Sequence, residues 1–256
     1  MITTVKVRNL LLGQGRPKIC VPIVGKTREE IIQSAEEIRS LPADLIEWRA
    51  DWFEELEDEN AQASVLEELR QSLGEEKAIL FTIRTLKEGG QSRISLDQYQ
   101  KLTIQAVWTG VPDLVDVELS AGQETANAII EATHNLGKKV IMSSHDFYRT
   151  PEVEEMIASM RKMQEWNADI SKLSVMPKSR MDVLKLLTAT LTMREQYADR
   201  PMVTMAMDGE GIITRLAGET FGSCITFGCG SKASAPGQME AEKLYQVLEI
   251  IHSAMA

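Results

Sequence analysis

The sequence is poor in cysteine, in histidine and in long apolar runs, and each shortage excludes a class of protein. Its three cysteines, Cys20, Cys224 and Cys229, lie in apolar runs and form no CxxC pair, which argues against a zinc centre or a redox dithiol. They are expected as small core residues in a reducing cytoplasm. No apolar stretch reaches the roughly 18 residues that would cross a bilayer, and the opening MITTVKVRNL lacks the unbroken apolar centre of a signal peptide. A cytoplasmic protein with no membrane contact is expected. There is no excess of positive charge either: 28 Lys and Arg stand against 38 Asp and Glu, a net charge of −10. Such a field repels nucleic acid, and an anionic substrate would have to be held by locally placed arginines. No glycine-rich linker or low-complexity block divides the 256 residues, so one domain over 1–256 is expected although the length admits one or two.

What the chain does contain is a recurring alternation. β-rich runs begin at Lys18 (KICVPIV), Leu45 (LIEWR), Ala78 (AILFTIR), Leu114 (LVDVEL), Val140 (VIMSSH), Ile170 (ISKLSVMP), Met202 (MVTMAM) and Cys224 (CITFG). Between them lie segments of helical period, such as those from Thr27, Ser95, Glu154 and Lys178. Thr27 with Glu30 reads as a capping box, and Gly110 with Pro112 as a helix stop. Alternating strands and helices imply parallel pairing, and eight such units predict an α/β fold, a closed (β/α)8 TIM barrel. The preceding TVKVRNLLLGQGRPK predicts an N-terminal β-hairpin over one barrel end. The acidic stretch EELEDEN from Glu54 reads as a solvated connection. The run GKT at Gly25–Thr27 stands where a phosphate loop would, but Cys20 occupies a position that needs glycine, and nucleotide binding is not expected there.

Strands of a parallel barrel are covered outside and filled inside, so charged residues in them need a reason. The period of two places Ile46, Trp48, Phe81, Ile83, Val115 and Val117 on the helix side. It sends Glu47, Arg49, Arg84, Asp116, Glu118, His145 and Lys172 inward, mostly at C-terminal strand ends, where barrel enzymes carry their sites. A lysine deprived of water inside a barrel is expected to favour its neutral, nucleophilic form. His145, closing an apolar strand, has an ordinary pKa suited to moving a proton. His134 and His252 fall in polar helical surroundings and are expected at the surface.

The blocks EWRADWF from Glu47, FTIRTLKEGG from Phe81, SSHDF from Ser143, ISKLSVMP from Ile170, GIITRLAGETFGS from Gly211 and KASAPGQ from Lys232 together resemble, in order and spacing, the type I 3-dehydroquinate dehydratases. The resemblance implies a cofactor-free, metal-free lyase of the shikimate pathway, a syn-elimination of water from 3-dehydroquinate giving 3-dehydroshikimate, and a homodimer. Carried over position by position, it implies Lys172 as the Schiff-base lysine, His145 as the general acid and base, and Glu88 as the carboxylate that orients the histidine. It implies Arg215 for the substrate carboxylate, and Glu47, Arg49 and Arg84 for ring hydroxyls. Ser234 and Gln238 match a closing loop, and Met205, Met207, Phe147, Phe227 and Ala235 an apolar lining. Pro22 departs from the serine some members carry in the first strand. The other readings weighed are a class I Schiff-base aldolase, which lacks support from the Glu47, Arg49 and Arg84 cluster, and an inactive metabolite-sensing barrel.

Overall fold

A computed structural model describes residues 2–230 and 237–255. Strands β1 (Val5–Val7) and β2 (Leu10–Leu12) form an antiparallel hairpin ahead of the main sheet, turning at Arg8 and Asn9. The predicted runs then appear as parallel strands: β3 (Lys18–Ile23), β4 (Leu45–Arg49), β5 (Ala78–Thr82), β6 (Leu114–Glu118), β7 (Lys139–Asp146), β8 (Ile170–Val175), β9 (Met202–Ala206) and β10 (Ile225–Cys229). A two-residue β11 (Met239–Glu240), too short to leave a sequence signal, adds to β10. The sheet curls until β10 pairs with β3, and a bridge between Met202 and Ser223 with a 2.8 Å bond from Cys224 N to Met202 O ties β9 to the start of β10 and completes the closure.

Helices α1 (Arg28–Arg39), α2 (Glu59–Leu73), α3 (Leu96–Trp108), α4 (Gln123–Asn135), α5 (Val153–Glu165), α6 (Arg180–Thr192), the short α7 (Ile212–Leu216) and α8 (Gly218–Phe221), and α9 (Ala241–Met255) accompany the strands. Local chemistry sets their starts. Thr27 Oγ1 accepts from Glu30 N at 3.3 Å, but the Glu30 carboxylate reaches past the cap to accept from Lys26 N at 2.7 Å, so the expected box is displaced by one residue. At α3 the box is complete, with Ser95 and Gln98 exchanging bonds of 3.2 and 3.0 Å. The acidic stretch from Glu54 is more than a connection: Asp58 Oδ1 accepts from Asn60 N and Ala61 N at 2.9 and 3.1 Å and caps α2.

Two apolar layers follow from the strand period. Outward residues Ile46, Trp48, Phe81, Ile83, Val115, Val117 and Met142 are buried under the helices. Inside, Cys20, Leu45, Leu80, Leu114, Ile141, Ile170, Val203 and Ile225 fill the N-terminal end of the barrel, and Val5, Val7 and Leu12 of the hairpin seal it. Each such side chain contributes roughly 1.5–3 kcal/mol. Arg8 staples the hairpin to this end, bonding Asp113 and Glu75 at 2.8 Å each. Two residues further along β4 to β8, the same inward face changes character: Glu47, Thr82, Asp116, Ser143 and Lys172 replace the aliphatics, all of them buried. That change of layer is where the site begins.

Candidate active site

At the C-terminal end of the barrel a cavity, about 570 Å³ when its open mouth is included, is lined by Glu47, Arg49, Arg84, Glu88, Gly89, His145, Phe147, Lys172, Ser174, Met205, Met207, Arg215, Phe227 and Gln238. Every candidate residue among those described reaches it. Ser234 and Ala235 lie outside the described residues.

Lys172 rises from the middle of β8. Its Nζ donates to Asp116 Oδ2 at 3.2 Å, lies 3.7 Å from Glu47 Oε1, and sits 4.5 Å from the centre of the Phe227 ring. The nitrogen thus faces an aromatic ring on one side and two carboxylates on the other. Asp116 also receives Arg84 Nη2 at 2.8 Å and the Ser143 hydroxyl at 2.6 Å. Burial alone would raise its pKa, but the charges of Arg84 and Lys172 and these hydrogen bonds outweigh that and hold it below the ordinary carboxylate value.

His145 ends β7. Its Nδ1 lies 2.9 Å from Glu88 Oε2, and the same oxygen accepts the His145 backbone N–H at 3.0 Å. Burial, together with the positive charges of Arg84, Lys172 and Arg49, drives the imidazole well below its usual pKa, which keeps it neutral. With Nδ1–H directed to Glu88, the Nε2 lone pair is the basic one. Glu88 is pushed up to about 7 by burial and by the nearby Glu118 carboxylate.

The arginines are held in different ways. Arg49 forms a two-point pair with Asp51 at 2.8 and 2.9 Å. Arg84 donates to Glu118 and Ser143 at 2.9 Å each, in addition to Asp116. Both line the cavity, but much of their hydrogen-bonding capacity serves buried acids rather than an open ring-hydroxyl site. Arg215, on α7, is buried with Nη1 3.5 Å from Met205 Sδ and 3.5 Å from Phe227 O, and burial lowers its pKa to about 10. A guanidinium stripped of water in this way gains from an incoming carboxylate that bonds its fork.

Asp116 and Glu118 were legible as inward charges at the site's end of the barrel but without an assigned role. Asp51 and Ser120 left no signal, because their roles depend on contacts across the sheet. The two glycines of KEGG have a steric reason: a Cβ on Gly89, whose φ is +81°, would stand 2.4 Å from the Phe147 ring, and one on Gly90 would meet Arg84 O at 1.8 Å.

A closed parallel barrel with a buried lysine, a carboxylate-held histidine and a buried arginine in one C-terminal cavity defines a (β/α)8 enzyme equipped for imine chemistry. Residues 19–255 match the family model for type I 3-dehydroquinase. The chain is 48% identical over 248 residues to a 3-dehydroquinate dehydratase of Bacillus licheniformis, covering 97% of both. Its fold resembles the crystal structure of a type I 3-dehydroquinate dehydratase from Clostridioides difficile carrying covalently modified comenic acid, with a TM-score of 0.95, 45% identity and 99% of each chain covered. It likewise resembles a 3-dehydroquinate dehydratase from Geobacillus kaustophilus, with a TM-score of 0.96, 40% identity, and 99% of this chain and 98% of that one covered. The chain belongs to the type I 3-dehydroquinase family, and is an enzyme of the hydro-lyase class.

Proposed function

We propose that this chain, one barrel domain over 1–256, dehydrates 3-dehydroquinate to 3-dehydroshikimate through a Schiff base on Lys172. The observation that carries the residue assignment is the meeting of the Lys172 amine, the His145 imidazole and the Arg215 guanidinium on one buried cavity.

Loss of a hydroxyl two carbons from a ketone needs a carbanion equivalent between them, and a protonated imine supplies the electron sink. The Lys172 amine adds to the C3 carbonyl, and the proton it gives up first returns to the carbinolamine oxygen, which leaves as water and gives the iminium. Its positive charge occupies the place the ammonium held, so Asp116 and Glu47 face a cation both before the reaction and at the imine. His145 Nε2 removes a C2 proton and the electron pair moves into the enamine. The imidazolium then hands the same proton to the C1 hydroxyl, which leaves as water from the face that lost the proton. Hydrolysis of the conjugated iminium frees the product and returns the amine. Glu88 orients the ring and favours its charged form, Arg215 takes the substrate carboxylate, and Glu47, Arg49 and Arg84 face the ring hydroxyls. Gln238 contacts the substrate from the cavity wall, with Met205, Met207, Phe147 and Phe227 as apolar lining.

Borohydride added with dehydroquinate is expected to fix ligand mass on the peptide containing Lys172. Turnover with no mass on that peptide overturns the assignment. We also place the enzyme in the cytoplasm as a homodimer. Support comes from the family resemblance, from cysteines that are all buried and free, and from Met181 and Leu184, exposed apolar side chains on α6. Light scattering giving twice the 28.6 kDa chain mass is the expected result.

A further inference from the structure

We propose that Ser120 is a positioning residue whose hydroxyl, standing between the Glu88 and Glu118 carboxylates, holds Glu88 as the acceptor of the His145 ring N–H. This rests on the reading of His145 as the proton carrier.

Ser120 lies in the single helical turn Leu119–Ala121 directly after β6. Its Oγ is 2.5 Å from Glu88 Oε1 and 3.5 Å from Glu118 Oε2. One hydroxyl proton cannot serve both, and the distances give it to Glu88. The need is evident from what else surrounds that carboxylate. Glu118 and Asp116 of β6 press negative charge on it. The nearest cation, Arg84, is 3.8 Å away but bonds Glu118 at 2.9 Å and Asp116 at 2.8 Å. Lys172 of β8 and Arg49 of β4 act on the imidazole. Glu88 Oε2 is committed to His145 through both its ring and its backbone, so Oε1 depends on Ser120.

Without that donor the cheapest remedy for Glu88 is to take up a proton itself. A carboxylic acid at Glu88 would donate to Nδ1, move the ring hydrogen to Nε2 and remove the basic lone pair from the cavity. The raised proton affinity of Glu88, near pH 7, shows how close this alternative lies. Because the Ser120 residue is itself solvent-exposed, its truncation opens no core cavity, and the site effect can be read apart from folding.

The test is kcat/KM against pH for the unmodified enzyme, Ser120→Ala, Ser120→Thr and Glu88→Gln, following the conjugated enone product. The unmodified enzyme should show an acid limb near 7. Removing a hydrogen bond to a charged acceptor moves such a limb by about one pH unit. Ser120→Ala should therefore shift it upward and lose about tenfold in kcat/KM on the acid side, with the alkaline plateau held within about threefold. Ser120→Thr, which keeps the hydroxyl, should return the limb. If Glu88→Gln abolishes the limb while Ser120→Ala superposes on the unmodified enzyme, or lowers only the plateau, the Ser120 role is overturned and the Glu88 reading stands. If Glu88→Gln keeps the unmodified profile, the Glu88 and His145 reading itself is wrong.

Discussion

Lys172 and Arg84 divide the two oxygens of Asp116 between them: the lysine Nζ donates to Oδ2 at 3.2 Å and the guanidinium Nη2 lies 2.8 Å from Oδ1. A fully buried carboxylate is costly unless paired on both sides. Here the pairing gives the anion a fixed position beside the nitrogen that changes from ammonium to amine to iminium. The charge that Asp116 balances before reaction is the charge it balances at the imine.

Asp116→Asn should therefore impair imine formation more than substrate binding. The expected result is a fall in kcat of about 100-fold with KM changed little, and a matching loss of borohydride-trapped mass. Trapping equal to the unmodified enzyme would remove Asp116 from this role.

His145→Ala separates the two halves of the chemistry. The lysine can still condense with the ketone, so mass should be trapped on Lys172, while turnover falls by about 10²–10⁴-fold. Undiminished turnover would defeat the proton-carrier assignment.

Arg215→Lys keeps a positive charge but loses the planar fork. KM should rise by about tenfold or more with a smaller change in kcat, since a lysine bonds a carboxylate at one point. An unaltered KM would place the substrate carboxylate elsewhere.

Glu88 also ties the site to stability. Its folded pKa of about 7 lies above the ordinary glutamate value of 4.5, so the folded state binds the extra proton. Its contribution is therefore present at low pH and is lost as pH rises through about 4.5 to 7. Glu88→Gln should abolish this loss and gain roughly 3 kcal/mol relative to the unmodified protein between about pH 5 and 8. Urea unfolding at both pH values checks it, and a difference independent of pH would contradict it.

The opposite end of the barrel should answer differently. Asp113 is buried and accepts from Arg8, Arg70 and the backbone of Ile79 at 2.8, 2.7 and 2.9 Å. Asp113→Ala leaves those donors without their acceptor and should cost about 3–5 kcal/mol, with kcat unchanged in the protein that remains folded. Loss of kcat at unchanged stability would show that the two ends are coupled.

Much of this was legible before any coordinates. The eight core strands, the hairpin and the inward set Glu47, Arg49, Arg84, Asp116, Glu118 and Lys172 follow from a period of two along each strand, because a parallel barrel forces one face under helices and the other into the interior. The ordered motif blocks carried the family. What a one-dimensional pattern cannot hold is who meets whom across the sheet. That Lys172 is paired with Asp116, that Arg49 is locked onto Asp51 instead of standing open, and that Ser120 touches Glu88 from 32 positions away are decided by strand stagger and by the curl that closes β10 on β3. A strand's own sequence dictates which way its side chains point, but only the closed barrel sets which neighbours lie within hydrogen-bond reach, and that distance determines where the protons sit.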